Sequence, residues 1–477
     1  MESKNWIGGE WITPQGREQT VMNPSNLTEE VGVVHLSDSS HAFEAEKAAR
    51  QASVPWSGMT GAARGEILYQ MANALEEKRE ELAVLASTEM GKPIGEMRGE
   101  VTRGIHLLRY YAAEGVRPTG EVIPASISHV HQYTKRIPLG VVAVITPWNF
   151  PVAIPIWKIA PALICGNTVI WKPAETASLT ATRLAEIFAT TELPPGVINL
   201  LIGKGKEIGA PLLEEVKLDA VSFTGSSETG SQIAVICAKR NIKYQTEMGG
   251  KNAAVVLKDA DLEKTVPALL SGAFRSAGQK CTATSRIFVE KEIAAALKKA
   301  LSEEISRITV APALEPAGYL GPVASREQYE KVSHYIEIAG RQGQIVGDNH
   351  SRLDQEGFYI HPLAVSGFDI QHPLAQEEIF GPLAVLFEAA DFDEAVELCN
   401  QTVYGLSASL FTRDLSQAHR FLEQAEAGMV RVNQETAGVE YQAPFGGLKA
   451  SSSHTREQGQ AALDFYTQIK TCAIQYT

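Results

Sequence analysis

The chain has 477 residues, 44% of them hydrophobic and 21% charged, and acidic residues outnumber basic ones by 13. That length and balance fit two or three compact units with sizeable cores, and exclude a disordered chain. A negative field repels phosphate backbones and anionic bilayers, so neither nucleic acid nor a membrane is an expected partner.

The N-terminus, MESKNWIGGEWITPQG, lacks the charged-then-apolar pattern of a signal peptide. Residues 60–115 read as helices: Thr60 can cap, and Ile67, Met71, Leu75, Leu82 and Leu85 follow one face. The stretch 121–136, EVIPASISHVHQYTKR, alternates polar and apolar residues and predicts an exposed strand or hairpin that pairs with another chain or with the C-terminal tail. Residues 138–157 run uncharged for a membrane-span length, but Pro147, Pro151 and Pro155 recur every four residues, so a buried strand, a turn and a helix start are expected instead.

From Val141 the texture changes. Short apolar runs at 141–146, 168–171, 197–202 and 220–224 recur every 23 to 29 residues with helical segments between them, which predicts a doubly wound parallel sheet. A second series at 253–257, 286–290, 383–387, 407–412 and 428–433 predicts another α/β unit in tandem. Five cysteines, at 165, 237, 281, 399 and 472, are odd in number and contain no CxxC pair, so a reducing cytoplasm is expected, without a disulfide framework or a metal.

Chemistry-bearing residues cluster at the turns. In TPWNFP, Asn149 follows a buried strand and can donate to an oxyanion or merely satisfy loop backbone. In WKPAE, Lys172 and Glu175 could hold ribose hydroxyls or form a surface ion pair. GKGKEIG, with Gly205 and Gly209, has the spacing GxGxxxG and reads as a plain turn as readily as a dinucleotide loop. FTGSSETG, with Phe223, Thr224, Gly225, Ser226 and Gly230, runs from a strand into a helix, where backbone N–H groups suit a phosphate or a simple N-cap. Glu247 in EMGGKN is a candidate general base or a solvated carboxylate, and Cys281, set among Gln279, Lys280, Thr282 and Thr284, an accessible thiol or an inert one.

Taken in order, TPWNFP, WKPAE, FTGSSETG, EMGGKN, GQKC, EEIFGP and PFGGLK closely resemble the NAD(P)-dependent aldehyde dehydrogenase superfamily across the whole chain. The resemblance implies a Rossmann-like nucleotide-binding domain (1–115 and 138–249), a catalytic α/β domain (250–449) and a small β bridging domain (116–137 and 450–477), assembled as a homodimer or homotetramer. It assigns Cys281 as nucleophile, Asn149 as oxyanion donor, Glu247 as general base and Lys158 to the active site. Thr146, Pro147, Trp148, Lys172, Glu175, Gly205, Gly209, Phe223, Thr224, Gly225, Ser226, Gly230, Glu378 and Phe380 are the implied cofactor contacts. A carboxylate at Glu175 favours NAD over a 2′-phosphorylated cofactor, although relatives with this glutamate use NADP as well.

For the substrate, Arg275 lies six residues before Cys281, where dehydrogenases of succinate semialdehyde place a carboxylate-binding arginine. Those enzymes often have a second arginine before the lysine of IWKIAP, where this chain has Trp157, the other candidate substrate contact. FRSAGQKCTATSR, ETAGVEYQAPFGG and SSSHTREQG are most similar to the bacterial α-ketoglutarate semialdehyde (2,5-dioxopentanoate) dehydrogenases, so that substrate is expected, with succinate semialdehyde or a broad range of aldehydes as alternatives. Glu247 argues against transfer of the thioester to CoA. A cofactor-free cysteine hydrolase would need a histidine base, for which His454 is the candidate.

Overall fold

In the computed structural model, which describes residues 1–350, 353 and 356–476, the run VVAVI forms the strand Val141–Ile145 at the heart of a seven-stranded sheet. Residues 351, 352, 354 and 355, inside the predicted catalytic unit, and 477, the last of the predicted tail, lie outside the described residues. Val142 and Val144 enter one apolar core, with helices Ala153–Ile164 and Ser178–Ala189. Val141 and Ala143 enter another, with Ser39–Gly58 and Ser227–Lys239. Because successive side chains point to opposite faces, a strand covered on both sides must be apolar throughout.

Thr168–Lys172 and Ile198–Leu200 stack on one side of that strand, and Ala220–Thr224 and Lys243–Glu247 on the other. The strand order therefore reverses between Val141–Ile145 and Ala220–Thr224, and their carboxyl ends open a crevice suited to a ligand.

An N-terminal hairpin, Asn5–Ile7 and Glu10–Ile12, extends the sheet antiparallel, a feature the sequence reading passed over. Its turn is Gly8-Gly9 with φ of +62° and +90°, the positive pair a two-residue hairpin requires.

A second seven-stranded sheet centres on Thr284–Glu290, with parallel neighbours Leu383–Ala389 and Asn252–Val256, and ends in one antiparallel edge, Gln344–Gly347. Only Met248–Lys251 separate the last strand of the first sheet from Asn252–Val256 of the second. The site thus forms where carboxyl ends of one sheet meet amino ends of the other.

The ribbon predicted at 121–136 is Val122–Ile123 and Val130–Pro138, and Thr467–Gln475 of the tail adds the third strand, with Thr471 opposite Thr134. In the helical segment, Thr60 Oγ1 accepts from the Ala63 N–H at 3.2 Å. The single apolar face read there is in fact divided: Ile67, Met71 and Leu75 belong to Gly61–Glu77, whereas Leu82 and Leu85 lie on a second helix, Arg79–Met90. Among the described residues no helix is long and apolar enough to cross a membrane.

Candidate active site

Helix Leu262–Phe274 ends in a tight turn, Arg275–Gly278, where Ser276, Ala277 and Gly278 hold φ of +56°, +53° and +69°. Two consecutive left-handed residues with side chains are strained, so neighbours must hold them. Glu96 does so, accepting from the Ser276 N–H at 3.0 Å and its hydroxyl at 2.6 Å. The turn delivers Cys281, half-buried against Leu406, Met429 and Phe445, and Asn252 Nδ2 donates to the Cys281 carbonyl at 2.8 Å. The backbone N–H groups of Cys281 and Thr282 are directed at its sulfur, but burial, with Glu378 and Glu247 nearby, pushes the thiol up to about 12.

Asn149 is buried, and Nδ2 donates to the Gln279 carbonyl at 3.0 Å, which lays the amide against the cysteine loop and leaves its second hydrogen for a ligand. Its own carbonyl accepts from Lys92 Nζ, which pairs with Glu100 at 2.6 Å and lies 3.7 Å from the Phe150 ring centroid. Glu100 also accepts the N–H groups of Val152 and Ala153, the first residues of the following helix. Neither Lys92 nor Glu100 was singled out from sequence. Both are buried, so Lys92→Met, which strands a carboxylate, is expected to cost about 3 kcal/mol of stability, read as a lower midpoint in denaturant melts. A midpoint equal to wild type would show the pair to be dispensable.

Glu247 ends its strand fully enclosed. Oε2 accepts from Ser452 Oγ, while Oε1 has no partner. Burial, then the nearby Glu457, holds its carboxyl well above the usual range. Glu457 is ion-paired to Lys158, which also donates to Ser222 Oγ at 3.0 Å. Glu457 lay in the quoted stretch SSSHTREQG without being marked, because its partners are some 300 residues away. His454, three residues earlier, is exposed.

At the crevice, Ser226 caps helix Ser227–Lys239, and a Cβ at Gly225 would lie 2.5 Å from the Phe223 ring. Thr224 Oγ1 is buried without a hydrogen-bond partner among the described residues beside this positive helix end, so the turn fits a phosphate-bearing cofactor. Lys172 is buried at the end of its strand, its ammonium weakened by that burial. Glu175 Oε1 accepts the Gly205 N–H at 2.8 Å, and Gly209 lies further along the same short helix. Trp148 meets Phe380 edge to face at 5.6 Å, Phe380 holding φ +62°. Glu378 accepts the Gly250 N–H at 2.9 Å.

Three further predicted residues are also engaged within the protein. A Cβ at Gly230 would lie 2.5 Å from Met248 Sδ, and the Gly230 N–H donates to Ser226 O, so this glycine lets the helix pack closely at the turn. Thr146 Oγ1 accepts from Trp171 Nε1 at 3.0 Å and keeps its own hydroxyl hydrogen. Trp157 is buried, donating to Glu457 at 2.6 Å and packing on Phe445. Arg275 is exposed and lies over the Tyr319 ring at 4.6 Å, with no carboxylate at ion-pair distance among the described residues.

A thiol, a carboxamide and a carboxylate thus meet at the junction of two α/β sheets, and the chain belongs to the Aldehyde dehydrogenase family, which it matches over residues 11–472. It is 45% identical to the alpha-ketoglutaric semialdehyde dehydrogenase of Bacillus subtilis over 476 residues, covering 99% of this chain and 98% of that one. It is 37% identical to the 2,5-dioxopentanoate dehydrogenase of Saccharolobus solfataricus, covering 99% of each. Among solved structures, betaine aldehyde dehydrogenase of Staphylococcus aureus in complex with NAD+ superposes with a TM-score of 0.95 at 32% identity, over 99% of this chain and 95% of that one. The expected α/β aldehyde dehydrogenase fold is therefore the observed one.

Proposed function

We propose that the protein oxidises 2,5-dioxopentanoate to 2-oxoglutarate with NAD through a thioester on Cys281, so that aldehyde, water and NAD+ give carboxylate, NADH and two protons. The similarity to semialdehyde dehydrogenases, together with Cys281, Asn149 and Glu247 in one site, carries this reading. The Cys281 thiol loses its proton to solvent, and the sulfur attacks the aldehyde carbon. The oxyanion is held by the free Asn149 N–H and the Cys281 backbone N–H. Gly225, Ser226, Lys172, Glu175, Glu378 and Phe380 would hold NAD, which would supply the hydride acceptor. Glu247 then deprotonates the water that releases the acid.

Arg275 is the proposed carboxylate contact, its guanidinium committed to an aromatic face and to no carboxylate. Kinetics on 2,5-dioxopentanoate, succinate semialdehyde and pentanal test this: Arg275→Ala is expected to lose about 2–3 kcal/mol in kcat/KM on the acids and less on the neutral aldehyde. Equal losses on all three would remove Arg275 from substrate recognition. Free cysteines support a cytoplasmic setting, and exposed Ile469 and Ile474 on the outer strand support pairing with a second copy, as a dimer or tetramer.

A further inference from the structure

Helix Ile94–Glu114 presents Glu96, Glu100 and Arg103 at spacings of four and three, and so along one face. With Lys92, Phe150 and Tyr441 they line an open cleft of about 390 Å³. Phe150 is the residue after Asn149, so the cleft adjoins the oxyanion donor.

Most of the charges on this wall are already satisfied. Glu96 is taken by Ser276, and Glu100 by Lys92 and a helix start. Glu440, also on this wall, forms no ion pair among the described residues, and neither does Arg103. Arg103 is mostly buried, yet no carboxylate lies at ion-pair distance from it among the described residues, Glu440 and Glu100 acting on it only from further off. One Nη2 hydrogen bond, 2.9 Å to Gln458 Oε1, is its single protein contact of this kind, and its Nε is buried without a partner. Gln458 turns its oxygen to the arginine, so its Nε2 is a second buried donor without an acceptor. A guanidinium withdrawn from water without a counter-charge is costly, and an excess of donors is what an acceptor-only ligand satisfies.

We propose that Arg103, oriented by Gln458, binds the anionic 2-oxo acid end of the substrate. It serves as the second arginine of a site in which Trp157 replaces the expected one. This rests on the semialdehyde reading above and deepens it: a 2-oxo carboxylate offers three acceptor oxygens, one more than a simple carboxylate, and Arg103 supplies donors for them in addition to Arg275. Gln458 is adjacent to Glu457, which bonds Trp157 and Lys158, so Arg103 is joined to the catalytic centre by a continuous set of contacts.

The test is the ratio of kcat/KM on 2,5-dioxopentanoate to that on pentanal for wild type, Arg103→Met and Arg103→Lys. The methionine variant is expected to lower the ratio about 10- to 100-fold, chiefly through KM, and lysine, which keeps charge but not the fork, to lower it less. An unchanged ratio, or equal losses on both aldehydes, would overturn the role of Arg103 while leaving the semialdehyde reading intact. A wild-type enzyme showing no preference for the acid would instead overturn that reading.

Discussion

Cys281→Ser is expected to lower NADH formation, followed at 340 nm, by roughly 10⁴-fold or more. Serine preserves the size of the side chain and its contacts with Leu406, Met429 and Phe445, so a folding defect is not the anticipated cause. What it removes is the more acidic and more nucleophilic atom. Even the thiol is pushed up to about 12 by burial and by the negative groups Glu378 and Glu247, so a hydroxyl there ionises far less readily. The same environment makes a second readout: iodoacetamide labelling of residue 281, located by mass spectrometry, should be slow at neutral pH and rise steadily with pH as the thiolate fraction grows. A serine variant keeping a tenth of the activity would remove Cys281 from the covalent role.

Glu247→Gln should separate the two halves of the reaction. Glutamine fills the same space beside Ser452 but cannot take a proton, so the thioester should form and then persist. One NADH per site is expected in a burst, followed by steady-state turnover slower by roughly 10²- to 10⁴-fold. Absence of a burst would mean that Glu247 is already needed to activate the thiol. The wild-type pH profile carries the complementary signature. A base acts in its ionised form, and burial and Glu457 raise the pH at which Glu247 ionises, so kcat should climb with pH on the alkaline side of the usual carboxylate range. Glu457→Gln removes a negative neighbour and leaves Lys158 unpaired, which favours ionised Glu247 and should move that rising limb to lower pH. A limb that stays in place would show burial to be the sole cause.

Sequence legibility tracked distance along the chain. Asn149, Glu247 and Cys281 each sit in a short stretch whose own chemistry, a proline-stiffened turn, paired glycines or a polar loop, marks it, and the strands around them were apolar runs of the right length. Lys92, Glu100 and Glu457 act through contacts across 52 to 300 residues, and nothing in local periodicity announces such partners. Leu82 and Leu85 kept a helical rhythm through a break that only tertiary packing imposes. At Gly230 the spacing that reads as a phosphate turn also lets the helix approach Met248, a demand that local sequence does not announce. The Gly8-Gly9 turn was readable and was passed over.

The four residues Met248–Lys251 have a mechanical consequence. A side chain at Gly249 would collide with Glu378, and one at Gly250 with the Cys281 carbonyl, so this connection is both short and wedged. Fully extended, such a span reaches only about 3.3–3.6 Å per residue. Glu247 at the end of one sheet and Cys281 beside the start of the next are thus held like the fixed jaws of a vice.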